Sequence, residues 1–117
     1  MSAVARASAV HAVTRIELER CEGDWETELV KASHTKDAWA EADATLARWA
    51  RTAPVGGGYH KCAFVVTWED GQTYSGRYDL KGGTAPSLAK HMRDFLDYMG
   101  KNWRPSALKF LAEREIP

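Results

Sequence analysis

The dipeptide Asp70-Gly71 stands between two runs of strand-forming residues, 59–68 and 72–80, and limits the folds open to this chain more than any other feature. An Asp-Gly pair supplies the positive φ that a tight hairpin turn needs. In the first run Phe64, Val66 and Trp68 fall on one face, with Ala63, Val65 and Thr67 on the other. In the return run Tyr74, Gly76, Tyr78 and Leu80 share a face opposite Thr73, Ser75, Arg77 and Asp79. Side chains alternate across a strand, so the pattern predicts an antiparallel hairpin over residues 59–80 with one face directed at a core.

Helical periodicities on either side show what covers that face. Trp39, Ala42, Leu46 and Trp49 recur at helical spacing in an Ala-rich stretch, which Pro54 and Gly56-Gly57-Gly58 end near Thr52. Ser33 or Thr35 is placed to cap it, with Asp37 in its first turn. A second helix opens at Ser87 or Thr84. Its expected buried stripe is Leu88, Met92, Phe95 and Met99, with Leu96 at the edge and Gly100 as a left-handed stop. Pro105 and Ser106 begin a short last helix carrying Leu108, Phe110 and Leu111.

Upstream, residues 12–20 alternate like a half-buried strand, Ile16 and Leu18 inward, Val13, Arg15 and Glu17 on the other side. Glu22-Gly23-Asp24 reads as a turn, and residues 25–32 as either a returning strand or an irregular connection. The expected fold is α+β: a small antiparallel sheet of three to four strands, including the 59–80 hairpin, packed against about three helices. Residues 1–10 are expected to be a loose lead-in and residues 11–117 a single domain.

Composition excludes several classes. Five Trp, four Tyr and three Phe give the chain a core to bury, which rules out a disordered chain. No apolar run is long enough to cross a bilayer, so no membrane partner is expected. Residues 1–10 carry only Arg6 and do not read as a secretory signal; two cysteines do not make a disulfide scaffold, so the expected setting is the cytoplasm. Sixteen bases and sixteen acids cancel, yet they are unevenly placed. Six acids lie between residues 17 and 28 against Arg20 alone, and six bases lie between residues 81 and 109 against Asp94 and Asp97. Either stretch is a solvated surface or a surface that orients a partner.

Catalytic and metal-binding patterns are weak. His11, His34, His60 and His91 are scattered, without the spacing that puts two ligands on one ion, so no metal or other cofactor is expected. Cys21 and Cys62 are read as buried thiols, with a redox or zinc role as the rival. His60 and Cys62 share a strand face, but i, i+2 neighbours are commonplace and do not make a dyad. The triple glycine follows a helix and precedes a strand, the reverse of a phosphate-binding loop. Tyr59, Lys61, Arg77 and Asp79 form either a surface salt-bridge cluster or a recognition patch. Lys90, Arg93, Lys101, Trp103 and Arg104 are the residues a nucleic-acid reading would use, although the neutral net charge weighs against it.

Gly58-Tyr59-His60-Lys61, Asp70-Gly71 and Tyr74-Ser75-Gly76-Arg77-Tyr78-Asp79-Leu80, preceded by an Ala-rich helix and followed by another, resemble a small domain associated with the large polyvalent proteins of phages and conjugative elements. The resemblance covers about residues 12–100, and His60 departs from it where the pattern has Asp. It implies an origin on a mobile element and no catalytic role. Free-standing proteins of such elements often inhibit host defence by occupying a surface. The expected function is therefore that of a non-enzymatic, anti-CRISPR-like inhibitor that binds a host protein or ribonucleoprotein complex. Glu17, Glu19, Glu22, Asp24 and Glu26, which could imitate nucleic-acid phosphates, would bind the partner together with Tyr59, Lys61, Arg77 and Asp79. The alternative is a nucleic-acid-binding accessory module. Five Trp in so small a domain also point to an apolar interface, a homodimer among the candidates.

Overall fold

Alternation along the chain becomes four antiparallel strands: β1 (Val13–Cys21), β2 (Thr27–Ser33), β3 (Lys61–Trp68) and β4 (Thr73–Asp79). Their order across the sheet is β2-β1-β3-β4. Three helices accompany them, α1 (Ala38–Thr52), α2 (Leu88–Asn102) and α3 (Ser106–Ala112), giving a small α+β fold. The computed structural model describes residues 10–21, 27–33, 38–52, 61–80 and 87–117. Thr35 and Asp37, the triple glycine, His60 and Thr84 lie outside these residues, as do residues 1–9 of the expected lead-in; Ser33 is the last residue of β2.

The hairpin forms as its alternation predicts. Cys62, Phe64, Val66 and Trp68 are buried, while the β3 residues between them are half-exposed. The connection is a three-residue loop, Glu69-Asp70-Gly71, between Trp68 and Gln72, whose N–H and C=O pair at 3.0 Å. Only its last residue needs the left-handed region, and Gly71 occupies it at φ 86°.

β1 corrects one sequence expectation. Val13 is buried although it is three residues from buried Ile16, a spacing that should place them on opposite faces. The pairing of β1 with β3 slips between Val13 and Arg15: Val13 is opposite Trp68 and Arg15 is opposite Thr67. Two steps on β1 against one on β3 make a bulge, and the bulge turns Val13 back to the core. Residues 27–33 are the returning strand, not an irregular connection, and pair with β1 from Arg15↔Ser33 to Cys21↔Thr27.

Trp39, Ala42, Leu46 and Trp49 of α1 are buried against the sheet, as their spacing predicts. On α2 the buried line is Leu88, Met92, Leu96 and Gly100, each four residues from the last, so the stripe is turned away from Phe95, which is 45% exposed. Gly100 is inside the helix and has no positive φ, contrary to the expected left-handed stop. A Cβ there would overlap Leu108 of α3, so glycine is required by the close approach of the two helices.

The start of α2 is satisfied from two directions. Ser87 accepts the Lys90 N–H at 3.3 Å as its N-cap, and Asp43 of α1 accepts the Leu88 N–H at 2.9 Å. A carboxylate at this end also complements the helix dipole. Burial nevertheless raises the Asp43 pKa, opposed by its hydrogen bonds to Leu88 and Ser87.

At the other end, the segment after α3 runs beside His11. The His11 N–H donates to Glu113 O at 2.9 Å and the Glu115 N–H to His11 O at 2.8 Å. Arg114, between them, is 7% exposed. It pairs with Asp70 Oδ2 at 2.5 Å, donates to Phe110 O at 3.1 Å and lies 3.9 Å over the Phe110 ring.

Candidate docking surfaces

The helices lie on one face of the sheet. Phe64 meets His91 edge-on at 5.9 Å, Trp68 meets Phe110 at 5.5 Å and Tyr74 meets Phe95 at 6.4 Å, which sets α2 and α3 beneath β3 and β4. Leu96, Met99, Ser106, Ala107 and Arg104 join Tyr74, Phe95 and Phe110 around a groove of about 330 Å³. That volume is at the lower end of the range for ligand pockets. Burial keeps the Tyr74 phenol above its ordinary pKa, so the ring stays neutral at physiological pH.

Four of the five large hydrophobic side chains exposed among the described residues belong to α2, its C-terminal end and α3: Phe95, Tyr98, Trp103 and Leu108. Phe95 and Tyr98 are three apart and therefore neighbours on the helix surface. Trp103, at the end of α2, is 68% exposed. The sequence pattern does not show this groove, because the spacing of Leu88, Met92, Phe95 and Met99 points to a core stripe, whereas Phe95 is exposed and Met99 half-buried.

Lys90 and Arg93 of α2 are turned away from that groove. At 100° per residue, Arg93 lies about 160° around the helix from Phe95. Lys90 is paired with Asp94 at 2.7 Å and Lys101 with Asp97 at 3.0 Å. The Asp94 carboxyl is held below its ordinary pKa mainly by its hydrogen bond from Lys90. Of the residues expected to contact nucleic acid, Arg104 lines the groove and the exposed Trp103 precedes it, Lys90 and Arg93 lie about 140° and 160° around α2 from Phe95, and Lys101, three residues from Tyr98, is its neighbour on the helix surface.

The other face of the sheet gathers the remaining expected residues. The cross-strand register aligns Glu19 with Ala63 and Ala63 with Arg77, and one step along, Glu17 with Val65 and Val65 with Ser75. Lys61 is opposite Asp79 and pairs with it at 3.1 Å, while Glu17 pairs with Arg15 at 2.8 Å. Glu17, Glu19, Lys61, Arg77 and Asp79 therefore share one surface, directed away from the helices. Glu22, Asp24, Glu26 and Tyr59 lie outside the described residues. A shallow depression of about 250 Å³ lies over Ala63 and Val65, bordered by Glu17 and Glu19.

Cys62 is buried and opposite Arg20, whereas Cys21 is opposite Lys61, one register position away. Among the described residues no group of His, Cys, Asp and Glu is arranged to hold a metal ion, and no helix is long and apolar enough to cross a membrane. No family model, curated protein or solved structure matches the chain.

Proposed function

We propose that this chain is a non-catalytic binding protein that acts by occupying the surface of a partner protein or ribonucleoprotein, and that the groove between Tyr74, α2 and α3 is its principal grip. The observation that carries this reading is the apolar lining of that groove by Tyr74, Phe95, Leu96, Met99 and Phe110, with the half-exposed Phe95 and the Arg104 side chain among them. A contiguous exposed apolar patch marks interaction sites, and aromatic residues beside an Arg are favoured anchors. The resemblance of the hairpin to the mobile-element domain directs the search for the partner to host defence complexes, CRISPR effectors first, with the chain as their inhibitor.

A nucleic-acid module is the rival reading. Trp103 next to Arg104 favours it, since a base can stack on the ring while the cation meets a phosphate. The separation of Arg93 from the groove, and the pairing of Lys90 and Lys101 with Asp94 and Asp97, favour a protein partner.

The test is binding of purified defence complexes, and separately of single-stranded DNA and RNA, by the wild type and by Phe95→Asp and Arg104→Ala. The expected result is capture of a defence complex that each substitution weakens at least about tenfold while the melting temperature is kept. Unchanged capture by both variants would remove the groove from the proposal. Nucleic-acid binding that falls steeply with salt, and is lost in Lys90→Ala and Arg93→Ala, would establish the rival.

A further inference from the structure

We infer that what a partner inserts into the groove of Tyr74, α2 and α3 is a short acidic peptide segment: one large apolar side chain with a carboxylate within two residues of it. This rests on the reading of the groove as the grip and names the chemistry the grip accepts. Tyr74, Phe95, Leu96, Met99 and Phe110 supply an apolar lining that suits a ring, and the unbranched Met99 can adapt to its shape. A groove of about 330 Å³ is at the size of a small ligand, so it takes one large side chain and not the face of a helix or sheet.

The polar groups of the lining select the charge. Arg104, in the connection between α2 and α3, carries the one formal charge among the lining residues. Its guanidinium has no ion pair or hydrogen bond among the described residues. The carboxylates around it already have cations: Asp94 has Lys90, Asp97 has Lys101, and Asp70 and Glu113 have Arg114. Asp70 and Glu113 lie in the neighbouring depression that shares Ser106 and Phe110 with the groove, and Lys109 there adds a second cation with no ion pair among the described residues. On the lining itself, the Tyr74 phenol and the Ser106 hydroxyl have no hydrogen-bond partner among the described residues, and each can donate.

A cation and two hydroxyl donors beside an apolar lining fit an anion attached to an apolar group. In a protein that anion is a carboxylate, which Arg meets with paired N–H donors. A nucleotide also joins a ring to an anion, but a strand is held through several phosphates. Here Lys90 and Arg93 are turned away and Lys101 is paired.

The test is a nuclear magnetic resonance titration of the full chain, at low salt, with the blocked peptide Asp-Ala-Phe-Ala-Asp, its counterpart with Asn for both Asp, and tetrathymidylate. The first peptide offers a carboxylate on the ring's side in either direction of an extended chain. It is expected to shift the amides of Phe95, Met99, Arg104 and Ala107 with a Kd on the order of 1 mM, and the Asn peptide to bind at least about threefold more weakly. Arg104→Gln, at an exposed position that leaves the melting temperature unchanged, should bring the Asp peptide to the level of the Asn peptide and leave the latter as it was. Equal binding of the two peptides would overturn the carboxylate and leave the groove as the grip, whereas capture indifferent to Phe95→Asp would remove the grip itself. Arg104→Gln weakening both peptides alike, no shift with either, or tetrathymidylate binding the groove more tightly than the Asp peptide would also overturn the inference.

Discussion

Arg114 shows how one side chain can tie distant parts of a small fold together. Its guanidinium is nearly removed from water (side chain 4% exposed), whereas its partner Asp70 keeps 21%. The two ends of this pair are therefore not equivalent. Arg114→Met leaves a carboxylate that water can still reach and retains packing on Phe110 and Trp68, so it is expected to cost about 1 kcal/mol. Asp70→Asn leaves the buried cation with only the more distant and more exposed Glu113 carboxylate, 3.9 Å from Nη1, and is expected to cost about 3 kcal/mol, although Asn can still accept the Gln72 N–H at the turn. Denaturant unfolding of the two variants gives the order directly. No sequence pattern could have shown this pair, because its members are 44 residues apart and each looks like an ordinary surface charge.

His91 sets a pH dependence. Burial lowers its pKa, with Asp94 opposing, and its ring stands edge-on to Phe64. The unfolded chain therefore takes up this proton at a higher pH than the folded one. The stability it contributes is full above the ordinary imidazole value of about 6.5 and is lost as the pH falls through the lower folded value. The melting temperature should drop between about pH 7.5 and 5.5, and by less in His91→Gln. Asp43, with a raised pKa, acts with the opposite sign: its contribution is full below the ordinary carboxylate range and is lost as the pH rises through its folded value.

Among the elements, the α2–α3 crossing depends most on one position. A Cβ on Gly100 would meet the Leu108 side chain and stand 3.0 Å from the Leu108 backbone nitrogen. Gly100→Ala should cost about 2 kcal/mol, and Leu108→Ala in the same chain should recover only part, since the backbone contact remains. Thermal unfolding of the single and double variants checks both statements. The hairpin and α1 were legible because a single period governs each: two for residues 61–68, and about 3.6 for Trp39 to Trp49. Val13 was not legible, because a bulge resets the period without leaving a mark in composition. Nor was the true face of α2: the spacing of Leu88, Met92, Phe95 and Met99 points to Phe95 as core, whereas the buried line passes through Leu96 and the side-chain-free Gly100. The charged face could be read in part, since Lys61, Arg77 and Asp79 belong to the hairpin, but its union with Glu17 and Glu19 depends on β1 lying between β2 and β3.

For the molecule as a whole, the two candidate surfaces lie on opposite sides: the charged sheet face outward, the groove within the helical layer. Arg77→Glu, on the sheet face turned away from the helices, should therefore leave capture through the groove unchanged, which a solution binding measurement checks.

The bracket between His11 and Glu113–Glu115 has a practical consequence. It holds His11 against a segment whose Glu113 and Arg114 stand beside Asp70, Ser106 and Phe110, the last two of which also line the groove. A fluorophore attached at Glu113 would therefore sit next to the surface it is meant to report on. A label on the exposed carboxyl-terminal turn of α1, at Arg51, lies on a different helix from those that line the groove and is the better handle for watching a partner arrive.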